Sequence, residues 1–330
     1  MAKRLAWIDL AKGIGIILMV IGHMPSMPSV VHDWIFSFHM PLFFFLSGYL
    51  FRKKNVADCL KNSIKNYLRP YVIYSIVFIA ADYISFKNIN DLSTSVERFL
   101  IGQGGFDVLW FFISMFWIHN IYNLIVEIIN DEKCEKAVIF VICSIAYSFT
   151  ILKLGSAFKF MTSLVSILFF AAGVELKKLD DAKIFDEKYY RKIAIWGGIV
   201  NLLCLAIMHW TGWSILDINS QQYGNLIITY VAAISGILFI VYISRILENY
   251  LILRPIIFIG ENSLYFFPLT TYIPVRIVSL LELNGVTVNG TGKILSKIIG
   301  FVCTTATVKI KNSITQFRKS KFCSGSNKFQ

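Results

Sequence analysis

Charged residues are scarce in this chain: Asp, Glu, Lys and Arg together make up only 16% of its 330 residues, whereas hydrophobic residues make up 56%. Soluble domains are typically about 25% charged and about 45–50% apolar. The mean hydropathy is +0.63, and a single soluble core cannot absorb that much apolar surface. The composition therefore excludes an ordinary soluble domain and predicts an integral membrane protein.

Cysteine is also sparse, and the six cysteines include no C-x-x-C pair. Structural zinc sites bring their ligands in closely spaced pairs, which this chain lacks. The cysteines fall in apolar segments or on the side of the chain predicted to be cytoplasmic, where thiols stay reduced. The sequence therefore predicts neither disulfides nor a metal site.

Long apolar runs, by contrast, recur along the whole chain. A helix that crosses a bilayer needs about 20 mostly apolar residues. The runs predict an all-α, polytopic membrane protein of about ten transmembrane helices. They lie near residues 6–24, 30–50, 68–86, 108–129, 137–152, 159–176, 193–211, 223–244, 256–281 and 294–308.

Basic residues outnumber acidic ones, 32 to 20, which gives a net charge of +12. Most of the basic residues fall in alternate loops, on one side of the predicted topology, rather than on one amphipathic face. This placement argues against nucleic-acid binding, and by the positive-inside rule it predicts that both termini are cytoplasmic. In this interpretation residues 1–308 form one membrane domain and residues 309–330 form a basic cytoplasmic tail.

The first apolar segment carries three ionisable residues, Asp9, Lys12 and His23, with Gly13 beside them. An α-helix turns 100° and rises 1.5 Å per residue, so Lys12 and His23 lie about 20° and about 16 Å apart on one helix. Asp9 falls in the same stripe, which is expected to face a cavity or the bundle interior because ionisable groups are costly in lipid. Gly13 allows another helix to approach closely. The alternative is an interfacial Asp9–Lys12 pair with His23 at the opposite headgroup boundary.

The second apolar segment adds His39, which is followed closely by Pro41. Proline cannot donate a backbone hydrogen bond, so it frees the carbonyl of Ser37 and predicts a kink at this point. Irregular backbone inside a membrane protein can line a cavity. A lone buried histidine is more often structural than catalytic, but two histidines in adjacent helices beside a charged stripe predict a functional site. Ser47, further along, is interpreted as a packing residue because it precedes glycine in an apolar helix.

Four segments carry a resemblance to a known family. They are Arg4-x4-Asp9-x2-Lys12-Gly13 with Gly22-His23, Phe38-His39-Met40-Pro41-Leu42-Phe43-Phe44-Phe45-Leu46-Ser47-Gly48-Tyr49, Leu109-Trp110-Phe111-Phe112, and Gly260-Glu261-Asn262-Ser263-Leu264-Tyr265. In these segments the chain resembles membrane acyltransferase family 3, and looks closest to its fucose 4-O-acetylase-like branch. The family's helix-one signature is a basic residue, ten others and a histidine, which falls here on Lys12 and His23.

The resemblance implies transfer of an acyl group, usually acetyl, from acyl-CoA to a sugar hydroxyl of a cell-surface glycan or lipid-linked saccharide. No cofactor is permanently bound, since acetyl-CoA is a substrate. Histidine suits the reaction because its unperturbed pKa is about 6.5. His23 is assigned as the general base or, alternatively, as a transient acyl carrier. His39 orients His23 or the thioester, Lys12 holds the donor or neutralises Asp9, and Asp9 orients Lys12.

Basic residues near the second and third helices are candidates for binding the phosphates of CoA. The family's R-x-x-R pattern appears here as Lys65-x3-Arg69, and Arg52 belongs to the same predicted cytoplasmic cluster. Arginine offers bidentate contacts to phosphate and lysine a point charge. Ordinary positive-inside topology is the alternative for Arg52. Trp110 is a further donor-binding candidate that could stack on pantetheine or a sugar, although an interfacial aromatic belt would place a tryptophan there as well. His119 receives no role.

A second function from a different class stays open at this point. The stripe of Asp9, Lys12 and His23 could serve as a proton relay in a transporter or flippase for a lipid-linked sugar. A transporter of this kind is expected to carry a carboxylate deep in a later span that pairs with the stripe. No such carboxylate stands out in the sequence. Either function places the chain in the cell membrane as a multi-pass protein, the inner membrane if the source is bacterial.

Overall fold

The computed structural model describes residues 5–25, 27–102, 107–152 and 157–326, and these residues are helical with no β-strand. A π-helical turn, Ile64–Leu68, joins the helices Val56–Ser63 and Arg69–Phe86. The helices are α1 (Ala6–Gly22), α2 (Ser29–Phe36), α3 (His39–Tyr49), α4 (Val56–Ser63), α5 (Arg69–Phe86), α6 (Ile89–Leu100), α7 (Trp110–Ile128), α8 (Glu132–Ile151), α9 (Phe160–Asp181), α10 (Glu187–Thr211), α11 (Leu226–Leu247), α12 (Arg254–Glu261), α13 (Ser263–Leu283) and α14 (Gly290–Ser326).

Seven helical segments within the described residues are long and apolar enough to cross a membrane. They are Ser29–Tyr49, which combines α2 and α3, and the helices α7, α8, α9, α10, α11 and α13. Each predicted apolar run overlaps a helix, so the all-α, multi-pass character is confirmed. The count of ten spans and the cytoplasmic termini stay predictions. Helix α14 continues without a break past Val308, the end of the predicted membrane domain.

The predicted kink in the second apolar segment is confirmed as a break between α2 and α3. Phe38 has φ −142° and ψ −14°, outside the helical range, and the chain resumes as a helix at His39. Pro41 stands in the first turn of α3. A backbone N–H in this turn has no intrahelical partner, so a proline here removes no hydrogen bond. The break therefore costs little and leaves His39 at the start of a buried helix.

Glycine allows two pairs of helices to touch backbone to backbone. A Cβ on Gly13 of α1 would lie 2.0 Å from the carbonyl oxygen of Ile256, and one on Gly260 of α12 would lie 1.7 Å from the carbonyl oxygen of Asp9. Gly48 of α3 and Gly173 of α9 make the same reciprocal contact. Close approach of this kind is a common way to pack helices in lipid, because it maximises van der Waals contact. The expected close approach at Gly13 is confirmed.

A buried arginine joins four helices at the end of the bundle near Trp7. Arg245 of α11 donates from Nη1 to Asp180 of α9 at 3.0 Å and from Nη2 to the second carboxylate oxygen. Tyr49 of α3 donates its hydroxyl to the same carboxylate at 2.8 Å. The guanidinium carbon also lies 4.5 Å from the ring centre of Trp7 in α1 and 4.9 Å from that of Tyr242. This cluster anchors α1 and α3, the two helices that carry the candidate site.

Candidate functional site

Helix α1 runs between two cavities, which we name after its polar residues. The His23 cavity, about 400 Å³, lies at the end where α1 stops. It is enclosed by α1, the α2–α3 break, the start of α7, α13 and the loop 212–225. Its lining residues are Met19, His23, Phe36, His39, Met40, Val108, Trp110, Leu216, Asp217, Ile218, Asn219, Phe267, Thr271 and Val275.

The two histidines of the His23 cavity are tethered in the same way. Nδ1 of His23 lies 2.8 Å from the carbonyl oxygen of Met19, and Nδ1 of His39 lies 3.0 Å from that of Ile35. A carbonyl oxygen can only accept a hydrogen bond, so each Nδ1 carries a hydrogen and donates it. In the neutral imidazole this leaves the lone pair on Nε2, which is the atom a general base uses. The local fold therefore presets both rings in one tautomer.

His23 and His39 differ in how far a substrate can reach them. Their ring centres are 6.3 Å apart and their planes nearly perpendicular. The His23 side chain is exposed, whereas His39 is buried at the base of α3. The structure brings together the two histidines that the sequence singled out, with His23 on the cavity surface and His39 in its wall.

A carboxylate in the same cavity was missed from the sequence. Asp217 lies in the loop 212–225, which is pinned by reciprocal backbone hydrogen bonds of 2.8 and 2.9 Å between Asp217 and Gln222. The Asp217 carboxylate accepts from the Ser220 hydroxyl at 2.6 Å. Lys159 donates to the carbonyl of Asn219 at 3.1 Å, and burial lowers the pKa of that ammonium while Asp217 opposes the shift. Only a local turn signal, Asp217-x-x-Ser220, marks this loop in the sequence.

The second cavity lies further along α1, towards its N-terminus. The Lys12 cavity, about 310 Å³, is lined by Lys12 and four other polar side chains, Ser47, Tyr67, His119 and Ser263. His119 Nε2 is 2.8 Å from the Ser47 hydroxyl and 2.8 Å from the Tyr67 hydroxyl. Sequence reasoning interpreted Ser47 as packing and gave His119 no role. Ser47, Tyr67 and His119 come from α3, the π-helical turn and α7, and no local pattern links them.

Three aromatic rings lie where the two cavities meet. Phe267 lines both of them. Its ring centre is 6.3 Å from that of Phe43 and 5.1 Å from that of Phe111, and Phe43 and Phe111 are 6.0 Å apart. These edge-to-face and tilted packings are the favourable ones for aromatic pairs. The two cavities therefore adjoin at Phe267 and are separated by three phenylalanines.

The residues assigned to the donor occupy different places. Arg52 lines a smaller cavity of about 150 Å³, which shares Tyr67 and His119 with the Lys12 cavity. Lys65 and Arg69 are exposed, on the π-helical turn and at the first residue of α5. Trp110 is buried in the wall of the His23 cavity, so the structure separates it from Arg52 and groups it with the histidines.

The other two residues of the helix-one motif are Asp9 and Arg4. Asp9 is buried, and its backbone carbonyl faces Gly260 of α12. Arg4 lies outside the described residues. Within the described ranges, no group of three or more His, Cys, Asp or Glu side chains has the arrangement of a metal site.

Comparison with known proteins gives one match. A family model described as an acyltransferase domain matches residues 5–306, which cover both cavities and all four motif segments except Arg4. None of the curated proteins and none of the solved structures matches the chain.

Proposed function

Because this chain belongs to acyltransferase family 3 and is a membrane acyltransferase, we propose that it moves an acetyl group from acetyl-CoA to a sugar hydroxyl of a cell-surface glycan or lipid-linked saccharide. The fucose 4-O-acetylase-like branch of the family is the proposed affiliation. The proposed location is the cell membrane, which is the cytoplasmic membrane in a bacterium. There the donor arrives from the cytoplasm at the Lys12 cavity.

One observation supports this proposal above the others: the two cavities lie along a single helix, with a base at one end and a cation near the other. Lys12 and His23 are about 16 Å apart along α1. A flexible thioester arm that enters beside Lys12 and passes Phe43, Phe111 and Phe267 would bring its acyl group to His23. The donor and the acceptor hydroxyl then meet inside the bundle, away from bulk water.

The reaction at His23 follows from its tautomer. Nε2 of His23 takes the proton from the sugar hydroxyl as the oxygen attacks the thioester carbonyl. The carbon–sulfur bond breaks as the tetrahedral intermediate collapses, and the imidazolium returns its proton to the leaving thiolate. The acyl group has moved from sulfur to oxygen, and His23 is neutral again. Asp217 supplies a negative charge in the cavity that stabilises the transient imidazolium, and His39 holds the position of the His23 ring.

The Lys12 cavity fits the arm of CoA, which carries two amides. Ser47 and Tyr67 offer hydroxyls, His119 offers a ring nitrogen, and amides need both donors and acceptors when they leave water. Lys12 and Arg52 provide cations for the phosphates, with Lys65 and Arg69 on the adjacent surface. Trp110 faces the reacting groups instead of the nucleotide.

The proposal is tested by transfer from labelled acetyl-CoA. Purified full-length protein in lipid nanodiscs is incubated with the labelled donor and a panel of extracted surface glycans and lipid-linked saccharides. We expect label in a saccharide ester that mild base releases, with one CoA formed per ester. A transporter or flippase instead moves the saccharide across a proteoliposome membrane without consuming acetyl-CoA. That result, with no ester formed on any acceptor, would refute the proposed chemistry.

Changes in the Lys12 cavity are expected to depend on the donor. Ser47→Ala removes a hydrogen bond worth about 0.5–1.5 kcal/mol, so kcat/KM for acetyl-CoA should fall about 2- to 12-fold. The thioester of N-acetylcysteamine lacks most of the arm, and its kcat/KM should fall much less. Steady-state kinetics with both donors measures the difference. Ser144→Ala on α8 is the matched control, since its hydroxyl donates to the carbonyl of Phe140 within its own helix. Equal losses with both donors would contradict a role in binding the arm.

A further inference from the structure

A third cavity adjoins His23 on the side away from the aromatic partition. It has a volume of about 480 Å³ and lies between the end of α1, α2, α13 and the first turns of α14. His23, Phe36 and Val275 line both this cavity and the His23 cavity. His23 therefore stands in a wall common to the two, and a molecule in the third cavity can present a group to the ring that the donor reaches from the other side.

Among the residues that the structure describes, the third cavity is lined by basic groups and by no carboxylate. Lys293 and Lys297 lie one turn apart on α14, and the same cavity is lined by His32 of α2 and by His23, the residue after α1. The other lining side chains are apolar or hydroxyl-bearing. Carboxylates do occur near by: Asp33 accepts from His32 at 3.0 Å, and Asp217 lines the neighbouring His23 cavity. We name this space the cationic vestibule, defined by His23, His32, Lys293 and Lys297.

Neither lysine of the cationic vestibule forms an ion pair within the part of the chain that the structure describes. Elsewhere lysines are paired, as Lys136 is with Glu132 and Glu175 at 2.8 Å. Lys293 is exposed, but Lys297 is partly buried, and both line the same cavity as His23. A partly buried cation is costly unless an anion compensates it.

We propose that the cationic vestibule binds an anionic group of the acceptor, a phosphate or a carboxylate carried next to the sugar hydroxyl that is acylated. This inference rests on the proposed function and names the class of acceptor. Two ammonium groups from α14 and the His32 imidazole from α2 surround an anion, while neutral His23, in the wall shared with the His23 cavity, faces both the sugar hydroxyl and the donor. Binding the anion there fixes the sugar against His23, so its hydroxyl enters the His23 cavity while the charged group stays in the vestibule.

A phospholipid headgroup is the competing source of an anion. Lysine at the end of a membrane helix commonly extends to the interface, and an interfacial anchor needs no acceptor. If the two lysines are only an interfacial anchor, their replacement should lower activity towards all acceptors equally, and the size of that loss should depend on the lipid composition. A binding site predicts an effect that follows the charge of the acceptor in nanodiscs made only of zwitterionic phosphatidylcholine.

The test compares charged and neutral forms of the same sugar. Full-length protein in phosphatidylcholine nanodiscs is given acetyl-CoA with the 1-phosphates of glucose, galactose and N-acetylglucosamine, and with their methyl glycosides. The glucuronic acid glycoside tests a carboxylate in place of phosphate. A charge-assisted hydrogen bond contributes about 1.5–3 kcal/mol, so kcat/KM should favour the anionic form at least about tenfold. The double variant Lys293→Gln/Lys297→Gln should reduce that ratio to about two or less.

Lys309→Gln is the matched control, an exposed lysine further along the same helix, and it should leave the ratio as in the parent protein. Calorimetric titration of the hexose 1-phosphates without donor gives a second readout, in which the parent protein binds and the double variant does not. The inference would be overturned if charged and neutral sugars were used equally, or if the double variant kept the preference of kcat/KM for the anionic sugar. It would also be overturned if the loss of activity depended on added phosphatidylglycerol. Transfer to neutral sugars alone would leave the proposed function standing, whereas absence of transfer to every acceptor would remove both.

Discussion

Replacing His23 by glutamine is expected to lower kcat for acyl transfer at least about 100-fold, because positioned general bases contribute about 10²–10⁴-fold to rate. Glutamine keeps a hydrogen-bonding side chain of similar reach but cannot take the proton from the sugar hydroxyl. The side chain of His23 is exposed to the cavities, so its loss removes little packing. Steady-state transfer of labelled acetyl groups to the acceptor identified in the glycan panel measures the effect.

The control for His23→Gln is His209→Gln, which changes an exposed histidine in the last turn of α10. It should retain full activity. Both proteins must elute as single folded species in detergent. Loss of less than threefold in folded His23→Gln would eliminate His23 as the base. Acyl-protein that survives without acceptor and disappears in His23→Gln would instead support His23 as an acyl carrier.

Arg245→Ala is expected to destabilise the protein by about 3–5 kcal/mol, the usual effect of removing one partner of a buried ion pair. The change leaves the Asp180 carboxylate without its guanidinium and empties the space between Trp7, Tyr49 and Tyr242. Trp7 and Tyr49 belong to the helices that position His23 and Ser47. The variant should therefore also lose activity at a lower temperature than the parent protein. Reversible unfolding in mixed micelles measures the free energy of unfolding.

An exposed ion pair provides the comparison for Arg245. Lys188 and Asp186 lie 3.1 Å apart with about two thirds of each side chain exposed. Lys188→Ala should therefore change stability by less than about 1 kcal/mol. The double variant Arg245→Met/Asp180→Asn removes both charges and should recover part of the loss, because no uncompensated charge stays buried. A change below 1 kcal/mol in Arg245→Ala would show that the cluster does not hold α1 and α3 together.

Much of the candidate site follows from local regularity in the sequence. The spacing of Lys12 and His23 predicts a common face, and α1 runs as one uninterrupted helix from Ala6 to Gly22 with His23 as its C-cap. Pro41 likewise predicts the helix break, and the charged stripe predicts that α1 faces a cavity. His39 was paired with His23 because the two lie in adjacent apolar segments, and their ring centres are 6.3 Å apart with nearly perpendicular planes.

Other parts of the site depend on contacts between segments far apart in the chain. Ser47, Tyr67 and His119 meet because three separate elements pack around the Lys12 cavity, and Asp217 reaches the His23 cavity on a loop. Trp110 was predicted to stack on pantetheine or a sugar, and only the structure shows that it lines the His23 cavity, away from Arg52. A residue's neighbours along one helix do not specify which helix packs against it.

The sequence by itself determined the membrane class, the helical fold and the polar face of α1, because composition and helical periodicity act locally on the chain. Only the tertiary structure decided that this face opens into two cavities separated by Phe43, Phe111 and Phe267. It alone also brought Lys293 and Lys297 of the last helix to His23 of the first. Those positions arise from the packing of helices against one another, where glycine contacts and the Arg245 cluster set the distances, and periodicity carries no information about them.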